Sequence, residues 1–586
     1  MTSPRIIYLA IIGFLLLLTS CRPEKQEDLD TVHIRLKKDP ERINPLVFPN
    51  PVAREVYQYL HLPLADYDPQ SLQLTPLLID RIPAEMPIDT GKYKGGIYFD
   101  INISQQAKWD NGTPVTAADY AFTLKAINLP LTNAGKYREI TQNIADIVTY
   151  PEDPKKLRVI FARDYINALE TAVNTEIYPK YFYDSLGLLD KYTFGQFTAE
   201  NEDILRQDST IVRFARAFNG VEFSSSRISG CGPYRFVSWQ PNQTVVLEKK
   251  PQYWAAGSMV PSLMQGPGKI VFHIIPDEVT AVSQLKAGNI DVINEISAES
   301  YVAMQEDATM KDKFSFFHPS LIKQYYININ NRDKILKDKN VRMALARLTD
   351  VDNILKNIEN GMGIRATGPI HPLKKTYNEK VTAVAYDPEK AKPLLAESGW
   401  KDTDNDGILD KVIDGKKQAL ELEILISGQE LGRKLSLMLQ ENARKAGIKI
   451  NIKEKDFKLI RTENLKPRNF QLVPSVLSQD IIAWDDLSRW HSENNTPDGS
   501  NDMSYSNSRV DDMIDRILTT KSDTARITLY KKIQEEIAGD QPVIFLYCPE
   551  EKIVISRKWA ATASAKRPGY MANTFAKAGE KATTNK

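Results

Sequence analysis

The most informative segment of the chain is residues 108–119, which read Lys108-Trp109-Asp110-Asn111-Gly112-Thr113-Pro114-Val115-Thr116-Ala117-Ala118-Asp119. The Asp-Asn-Gly-Thr-Pro part has turn chemistry, because Gly accepts left-handed backbone angles and Pro fixes its own φ. Thr116 followed by an acid three residues later predicts the start of a helix. Upstream, residues 96–103 alternate apolar and polar side chains and predict a strand. The segment therefore predicts a strand, a turn and a helix in succession.

The same alternation of strands and helices continues along the whole chain. Residues 31–36 and 543–547 have the pattern of strands, and residues 431–446 have the 3.6-residue period of a helix that Gly447 ends. Short strand patterns alternating with helical patterns are typical of an α/β architecture. We therefore predict the α/β class.

Composition excludes several classes of protein. The chain has 586 residues, with 76 Lys and Arg against 75 Asp and Glu and a hydrophobic fraction of 42%. This composition excludes a disordered chain, a collagen-like fibre and a disulfide-stapled miniprotein. A formal net charge of +1 also argues against a nucleic-acid binder. The length allows about three to five domains, or fewer large lobes.

The first twenty residues have the pattern of a processing signal. Arg5 precedes the apolar run Ile6 to Leu18, which is too short to span a bilayer comfortably. The following Thr19-Ser20-Cys21 resembles a bacterial lipobox, in which the Cys is acylated and becomes the mature N-terminus. We predict a signal peptide over residues 1–20, lipidation at Cys21, and a tether over residues 21–30. The body would then lie outside the cytoplasm, in the periplasm or at the surface of a bacterial cell envelope. The alternative is a short signal anchor with an incidental Cys.

Motifs for catalysis and for cofactors are absent from the sequence. The chain has no GxxxxGK, HExxH or GxSxG segment, and its six His lie far apart in sequence. Ser283-Gln284-Leu285-Lys286 matches SxxK, a pattern that chance produces in a chain of this length. We therefore predict that the protein is not an enzyme.

A series of motifs resembles one protein family. Residues 108–119 are similar to the "kW-sDG-tPvTAeDv" segment of the extracellular solute-binding proteins of the oligopeptide/dipeptide/nickel type. Further matches follow in family order: Gly232-Pro233-Tyr234, Pro251-Gln252-Tyr253-Trp254, residues 285–292, residues 340–346, Tyr386-Asp387-Pro388, Gly399-Trp400, and Tyr530 through Gln534 followed by Gln541-Pro542. The resemblance spans about residues 31 to 555.

This resemblance implies a fold, a function and partners. The fold would be two-lobed and periplasmic-binding-protein-like, with an extra subdomain in the first lobe and a hinge that closes the lobes on a ligand. It implies lobe one at 31–315, lobe two at 316–539, and a return to lobe one over 540–586 with a C-terminal tail. The protein would capture peptides or similar polar solutes and pass them to an ABC-type permease with its separate ATPase. We expect a monomer.

The resemblance also implies six ligand residues, half of them in one loop. Peptide-binding members pair the ligand's α-ammonium with an Asp, and Asp480 is the best positional match, with Trp484 and Asp485 in the same loop. Asp480 could instead be a loop-capping acid. Tyr326 resembles a residue of the cleft strand, although a core aromatic would look the same. Ser427 and Gln429 stand where some dipeptide binders have a cation, which leaves room for oligosaccharides or longer peptides.

A separate loop has the pattern of a calcium site. Carboxylates stand at alternate positions, followed by a Gly that permits a tight bend: Asp402, Asp404, Asp406 and then Asp410. Ile413 occupies the position of the usual bidentate Glu. The loop is therefore either a weak calcium site or a polar turn.

Two further hypotheses stay open at this stage. Family topology puts Cys231 and the strand before Cys548 in the same lobe, so a disulfide between them competes with two buried thiols. The rival function is a membrane-anchored ligand sensor or surface binding module without a transporter, possibly for oligosaccharides. Both functions need the same cleft.

Overall fold

The computed structural model describes residues 30–47, 50–197, 201–478, 481–497 and 499–579. The predicted signal peptide, Cys21, the greater part of the tether and Asp480 lie outside these residues. Within them, no helix combines the length and the apolar character that a membrane crossing requires.

The strands follow one another along the chain from the first described residues to the last. They are β1 Thr31–Leu36, β2 Ala65–Tyr67, β3 Leu74–Pro76, β4 Glu85–Pro87, β5 Ile97–Asn102, β6 Ile144–Tyr150, β7 Asp153–Phe161, β8 Tyr234–Gln240, β9 Thr244–Lys249, β10 Lys269–Ile274, β11 Val292–Ile293, β12 Phe314–Phe317, β13 Lys323–Ile329, β14 Gly363–Arg365, β15 Asp410–Ile413, β16 Lys416–Ala419, β17 Glu421–Ile426, β18 Lys449–Glu454, β19 Leu472–Ser478, β20 Val543–Pro549, β21 Ile553–Ser556, β22 Trp559–Ala560 and β23 Ala576–Lys577.

Helices lie between these strands, as the sequence pattern predicts. They are α1 Pro51–Tyr57, α2 Ala117–Asn128, α3 Gly135–Thr141, α4 Ala168–Val173, α5 Lys180–Tyr183, α6 Glu202–Gln207, α7 Ser209–Phe218, α8 Glu222–Ser225, α9 Glu278–Lys286, α10 Ala298–Glu306, α11 Ala308–Lys313, α12 Lys339–Leu348, α13 Val351–Asn357, α14 Pro388–Glu397, α15 Glu430–Lys445, α16 Phe457–Leu459, α17 Ser508–Thr519 and α18 Asp523–Asp540. A π-helix, Ile460–Leu465, continues α16.

Two large sheets organise the described chain into two lobes. The first has the strand order β12-β21-β11-β1-β10-β9-β8, and the second has the order β14-β20-β13-β19-β17-β18. A four-stranded sheet, β4-β5-β7-β6, belongs to the first half of the chain and forms the extra subdomain with α2. The predicted α/β class and the two-lobed fold are confirmed.

Local sequence explains the unit β17-α15-β18 in the second sheet. The two strands are parallel neighbours, and α15 connects them. Leu435, Leu439 and Ala443 are buried at a spacing of four residues, so one face of the helix packs on the sheet. Gly447 then takes a φ of +79°, a conformation that ends a helix at little cost for Gly.

The side chains of segment 108–119 make hydrogen bonds within the extra subdomain and to the segment next to it. Asp119 accepts hydrogen bonds from the backbone N of Thr116 at 2.8 Å, from Nε1 of Trp109 at 3.2 Å and from the backbone N of Lys180 at 2.9 Å. Burial raises the pKa of Asp119, and these donors oppose that rise. Asp110 accepts from the backbone N of Gly230 at 3.0 Å, which joins this segment to the stretch Gly230-Cys231-Gly232.

The chain passes between the two large sheets twice within the described residues. The first passage lies between β12 and β13, and the second lies between β20 and β21. The passages contact each other, because the backbone N of Glu551 donates to the carbonyl of Pro319 at 2.9 Å and Nδ1 of His318 lies 2.7 Å from a Glu550 carboxylate oxygen. The two connections therefore form one narrow junction.

This topology corrects two expectations. Residues 543–549 were expected to return to lobe one, yet β20 pairs with β13 and β14 in the second sheet, so the return follows Pro549. Cys548 therefore lies in a core of the second lobe, whereas Cys231 lies in the core of the extra subdomain. Both are buried free thiols, and the disulfide hypothesis is wrong because the two residues belong to different lobes.

Candidate functional site

A cavity of about 780 Å³ lies between the two lobes. Lobe one contributes α1, the segment around Tyr67, α4 and residues 565–567, and lobe two contributes the start of β13, the end of β19 and the residues after it. Binding sites of α/β proteins commonly lie outside the carboxyl ends of the sheet strands. This cavity lies at such an edge, because Ser478 ends β19 and lines the cavity wall.

The lobes contact each other beside the cavity. A carboxylate oxygen of Glu170, at the start of α4, accepts from the hydroxyl of Tyr67 at 2.8 Å and from the backbone N of Ala483 at 3.3 Å. The first donor belongs to lobe one and the second to lobe two. Burial and the neighbouring Glu170 carboxylate raise the pKa of Tyr67, so this hydroxyl remains a donor at neutral pH. Glu170 therefore links the two walls of the cleft.

Charged side chains line the lobe-one wall in pairs. The ammonium of Lys566 contacts a carboxylate oxygen of Asp66 and donates to the carbonyl of Tyr67 at 3.2 Å. Burial acts to raise the pKa of Asp66, but Lys566 and Arg54 hold it below its ordinary value. Burial raises the pKa of Glu176, and Arg54 opposes the rise. Sequence reasoning missed all these residues, because no motif marks the positions.

Asp485 lines the cavity, but its charge is already matched. One carboxylate oxygen lies 3.1 Å from Nζ of Lys374, and the other accepts from Oγ1 of Thr376 at 3.0 Å. The two charged side chains are only 4% and 8% exposed. A buried ion pair of this kind costs energy to separate. The structure therefore gives Asp485 a role in holding the cavity wall.

Trp484 and Tyr326 lie in the core beneath the cavity rather than along its wall. Nζ of Lys375 and Cζ of Arg526 lie 3.8 Å and 4.5 Å from the Trp484 ring centroid, so cations already contact this ring. The hydroxyl of Tyr326 accepts from Nη2 of Arg489 at 2.7 Å. For Tyr326, this position agrees with the core alternative.

Ser427 and Gln429 follow β17 at the same edge of the second sheet. Ser427 is half-buried and Gln429 is exposed, immediately before α15, and neither side chain lines the cavity. Asp480 lies outside the described residues. Its described neighbours Ser478 and Ile481 both line the cavity, which keeps Asp480 as a prediction.

The acidic loop brings together three of its four predicted carboxylates. Among the described residues, Asp402, Asp404 and Asp410 each have an oxygen within 4.8 Å of the others. The fourth acid, Asp406, accepts instead from the backbone N of Ile408 at 2.8 Å. Nζ of Lys417 lies 2.6 Å from Asp404 and 3.2 Å from Asp410. This ammonium supplies the positive charge that a calcium ion would bring, and calcium binding stays a prediction.

Comparisons with known proteins agree with this architecture. A model of the bacterial extracellular solute-binding proteins, family 5, matches residues 93–511, which is more than half of the chain. The oligopeptide-binding protein AppA of Bacillus subtilis (strain 168) is 27% identical over 467 residues, covering 79% of this chain and 77% of that protein.

Solved structures show the same fold. The structure of AppA from Bacillus subtilis in complex with a nonapeptide has a TM-score of 0.70 at 23% identity and covers 93% of this chain and 98% of that one. NikA from Brucella suis in complex with Fe(III)-EDTA has a TM-score of 0.72 at 18% identity, with coverages of 93% and 99%. The likeness therefore extends over almost the entire length of both structures.

Proposed function

Because the chain belongs to family 5 of the bacterial extracellular solute-binding proteins, whose members are binding proteins and not enzymes, we propose that it captures peptides in the cleft between its lobes. The peptide would then pass to an ABC-type permease. Relatives named for oligopeptide binding support the peptide as ligand.

The interlobe cavity is the observation that carries this proposal. Its wall comes from both lobes, and its volume of about 780 Å³ lies within the range of ligand pockets. A ligand that contacts both walls stabilises the closed arrangement, because only that arrangement offers it all its contacts. The hydrogen bonds that Glu170 accepts from Tyr67 and Ala483 lie beside this cavity. These bonds would form when the lobes close on the ligand.

Asp480 is the residue that we assign to the peptide N-terminus. It follows β19 by two residues, between Ser478 and Ile481, and both of those residues line the cavity. Asp485 has Lys374 as its partner, so it is a weaker candidate for an ammonium group. Asp480→Asn should weaken binding of a free-amine peptide by about 2–5 kcal/mol, since the ammonium would be left without its partner. An N-acetylated peptide should bind the wild type poorly and lose little more on mutation, when both are measured by isothermal titration.

A pair of matched variants tests the cleft itself. Ser478 and Ser427 both stand at the carboxyl ends of strands in the second sheet, but only Ser478 lines the cavity. Ser478→Trp should fill part of the cavity and weaken binding of a free-amine pentapeptide at least tenfold, whereas Ser427→Trp should change it less than twofold. Equal effects of the two substitutions, or binding of an oligosaccharide but of no peptide, would overturn the proposal.

The anchor is the second part of the proposal. We assign Cys21 as the acylated mature N-terminus, which places the tether of residues 21–30 directly before β1. Several acyl chains hold a protein on a membrane stably, since each buried methylene contributes about 0.8 kcal/mol. Cys21→Ala should release the protein from the membrane fraction. A processed variant that still sediments with membranes after a high-salt wash would contradict this assignment.

A further inference from the structure

Two cationic side chains from different lobes line the interlobe cavity. Arg567 belongs to lobe one, and Lys323 is the first residue of β13 in lobe two. Both residues are half-buried. Burial acts to lower the pKa of Lys323, Tyr325 and Glu551 raise it above its ordinary value, and Arg567 opposes that rise. The two positive charges are therefore close enough to repel each other across the cleft.

The ammonium of Lys323 has no ion pair within the part of the chain that the structure describes. Its Nζ lies 5.2 Å from the centroid of the Tyr325 ring. The neighbouring acid, Glu551, uses a carboxylate oxygen to accept from the backbone N atoms of Glu295 at 3.0 Å and of Lys552 at 3.3 Å. A half-buried ammonium without a paired carboxylate is costly, and an anion supplied by a ligand would offset that cost.

The guanidinium of Arg567 is oriented by an acid of lobe one. Its Nη2 donates to a carboxylate oxygen of Glu295 at 2.7 Å, while 32% of the Arg567 side chain stays exposed. Glu295 takes a φ of +52°, in the left-handed region that residues other than Gly rarely adopt. A guanidinium has five N–H donors, so this contact leaves donors for a second carboxylate in the cavity.

The register of the second sheet places Lys323 close to the residue assigned to the peptide N-terminus. Lys323 on β13 lies opposite Ser478 on β19. The Cβ atoms of such partners are about 4.5–5.5 Å apart. Asp480 follows Ser478 by two residues, which span at most about 7 Å of chain. A ligand group that contacts Lys323 would therefore belong to the first residues of a peptide, or to the C-terminus of a very short one.

We propose that Lys323 and Arg567 together form a subsite for a carboxylate of the ligand. The proposal rests on peptide binding in the cleft, as argued above. A guanidinium binds a carboxylate through two parallel N–H groups, and the ammonium adds a further charged donor. The carboxylate comes from an acidic side chain among the first two residues of a peptide, or from the C-terminus of a short peptide. Because the two cations belong to different lobes, a carboxylate that contacts both favours the closed arrangement.

Matched peptides test this subsite by isothermal titration of the full-length, detergent-solubilised protein. If the carboxylate is a side chain, Asp-Asp-Ala-Ala-Ala should bind at least tenfold more tightly than Asn-Asn-Ala-Ala-Ala. If it is the C-terminus, Ala-Ala-Ala should bind at least tenfold more tightly than its C-terminal amide. A preference in neither pair would overturn the subsite and leave peptide binding intact, whereas failure of all four peptides to bind would overturn both.

Variants then assign the preference to the two cations. Lys323→Gln and Arg567→Gln should each reduce the tenfold preference to threefold or less, because one charged partner of the carboxylate is lost. Lys136→Gln, which removes an exposed cation that also lines the cavity, should change the preference less than twofold. Lys323→Gln breaks no ion pair among the described residues, so it keeps the test valid if Arg567→Gln fails to fold. A full preference in Lys323→Gln would contradict the assignment.

Discussion

Asp485 shows that an acid beside a cavity can belong to the wall rather than to the ligand. Its carboxylate has Lys374 at 3.1 Å and Thr376 at 3.0 Å, and Tyr530 donates to its backbone carbonyl at 2.6 Å. These partners connect the loop after β19 to α18 and to the segment 374–376. Both charges are almost completely buried, so either one alone would lack a partner in a medium of low dielectric constant.

Removal of Lys374 tests this role. Lys374→Met should lower the free energy of unfolding by about 3–5 kcal/mol, because it leaves the Asp485 carboxylate buried and unpaired. Lys375→Met is the matched control, since the Lys375 ammonium lies over the face of Trp484, 3.8 Å from the ring centroid, and its loss should cost about 1 kcal/mol or less. Urea denaturation measures both. Addition of Asp485→Asn should recover part of the loss, and a loss equal to that of Lys375→Met would show that the pair is not important for stability.

Glu55 gives stability a dependence on pH. It is 5% exposed on α1, and burial together with the neighbouring Glu295 raises its pKa to about 8, from 4.5 in the unfolded chain. Between these values the folded protein holds a proton that the unfolded chain has released. The stability that this group contributes is therefore fully present below pH 4.5 and is lost as the pH rises through 8.

Glu55→Gln should reduce this dependence. At pH 8.5 the variant should be more stable than the wild type by on the order of 3 kcal/mol, and at pH 5 the difference should nearly vanish. Glu551, whose pKa burial also raises, should leave a residual slope. Urea denaturation at the two pH values measures this, with the exposed Glu152→Gln as control. An equal gain at both pH values would mean that packing, not ionisation, explains the effect.

At the scale of elements, the β15-β16 hairpin brings a loop with the carboxylate pattern of a calcium site next to a lysine that neutralises part of its negative charge. The loop precedes β15, and Lys417 on β16 lies between Asp404 and Asp410. Backbone N atoms donate to the other acids: Gly407 to Asp402 at 3.0 Å and Ile408 to Asp406 at 2.8 Å. The carboxylates of the loop therefore contact backbone N–H groups and the Lys417 ammonium of the protein itself.

Lys417→Gln should convert this turn into a better calcium site, because it removes the ammonium that competes with the ion. We expect millimolar calcium to raise the melting temperature of this variant by several degrees and that of the wild type by less, through binding to the folded state. Addition of Asp404→Ala should abolish the rise. If calcium raises neither melting temperature, the loop is only a turn.

Strands and helices that are marked by neighbouring residues are predictable from the sequence. Which strands pair with each other in a sheet is less predictable. The bounds of β1 and the helix start at Thr116 follow from residues that stand next to each other in the chain. The place of β20 between β13 and β14 does not, because all its residues are buried and a continuous apolar strand fits the centre of either sheet. Nδ1 of His33 lies 2.9 Å from Nε2 of His273, and this contact is hidden in the sequence for a similar reason, since only the pairing of β1 with β10 brings the two rings together.

At the scale of the whole molecule, polar contacts join the two lobes beside the cavity. Glu170 bridges Tyr67 and Ala483, and Nζ of Lys521 lies 3.7 Å from a carboxylate oxygen of Asp164 at the surface. An exposed ion pair contributes little, so Glu170 is the stronger link. The candidate site was predictable as a cleft and as the loop after β19. Its lobe-one wall was not, because that wall combines distant segments such as Asp66 and Lys566.

Glu170→Ala should shift the lobes towards an open arrangement. We expect the radius of gyration without ligand to increase in small-angle X-ray scattering and peptide affinity to fall about threefold to thirtyfold, because the ligand must then supply the closing energy alone. Glu139→Ala, which removes another acid of the lobe-one wall, is the control. An unchanged radius together with unchanged affinity would mean that Glu170 does not hold the closed arrangement.

The two passages between the sheets lie side by side, with Pro319 hydrogen-bonded to Glu551 and His318 next to Glu550. Residues 319–551 therefore begin and end at the same point, like a module inserted into a host protein. Such a segment can be excised as one continuous piece of a gene, exchanged between relatives, or given new termini at a surface turn while its old ends are joined by a short linker. Because one continuous segment of the chain forms lobe two, the lobe-two wall of the cleft can change in evolution independently of the lobe-one wall.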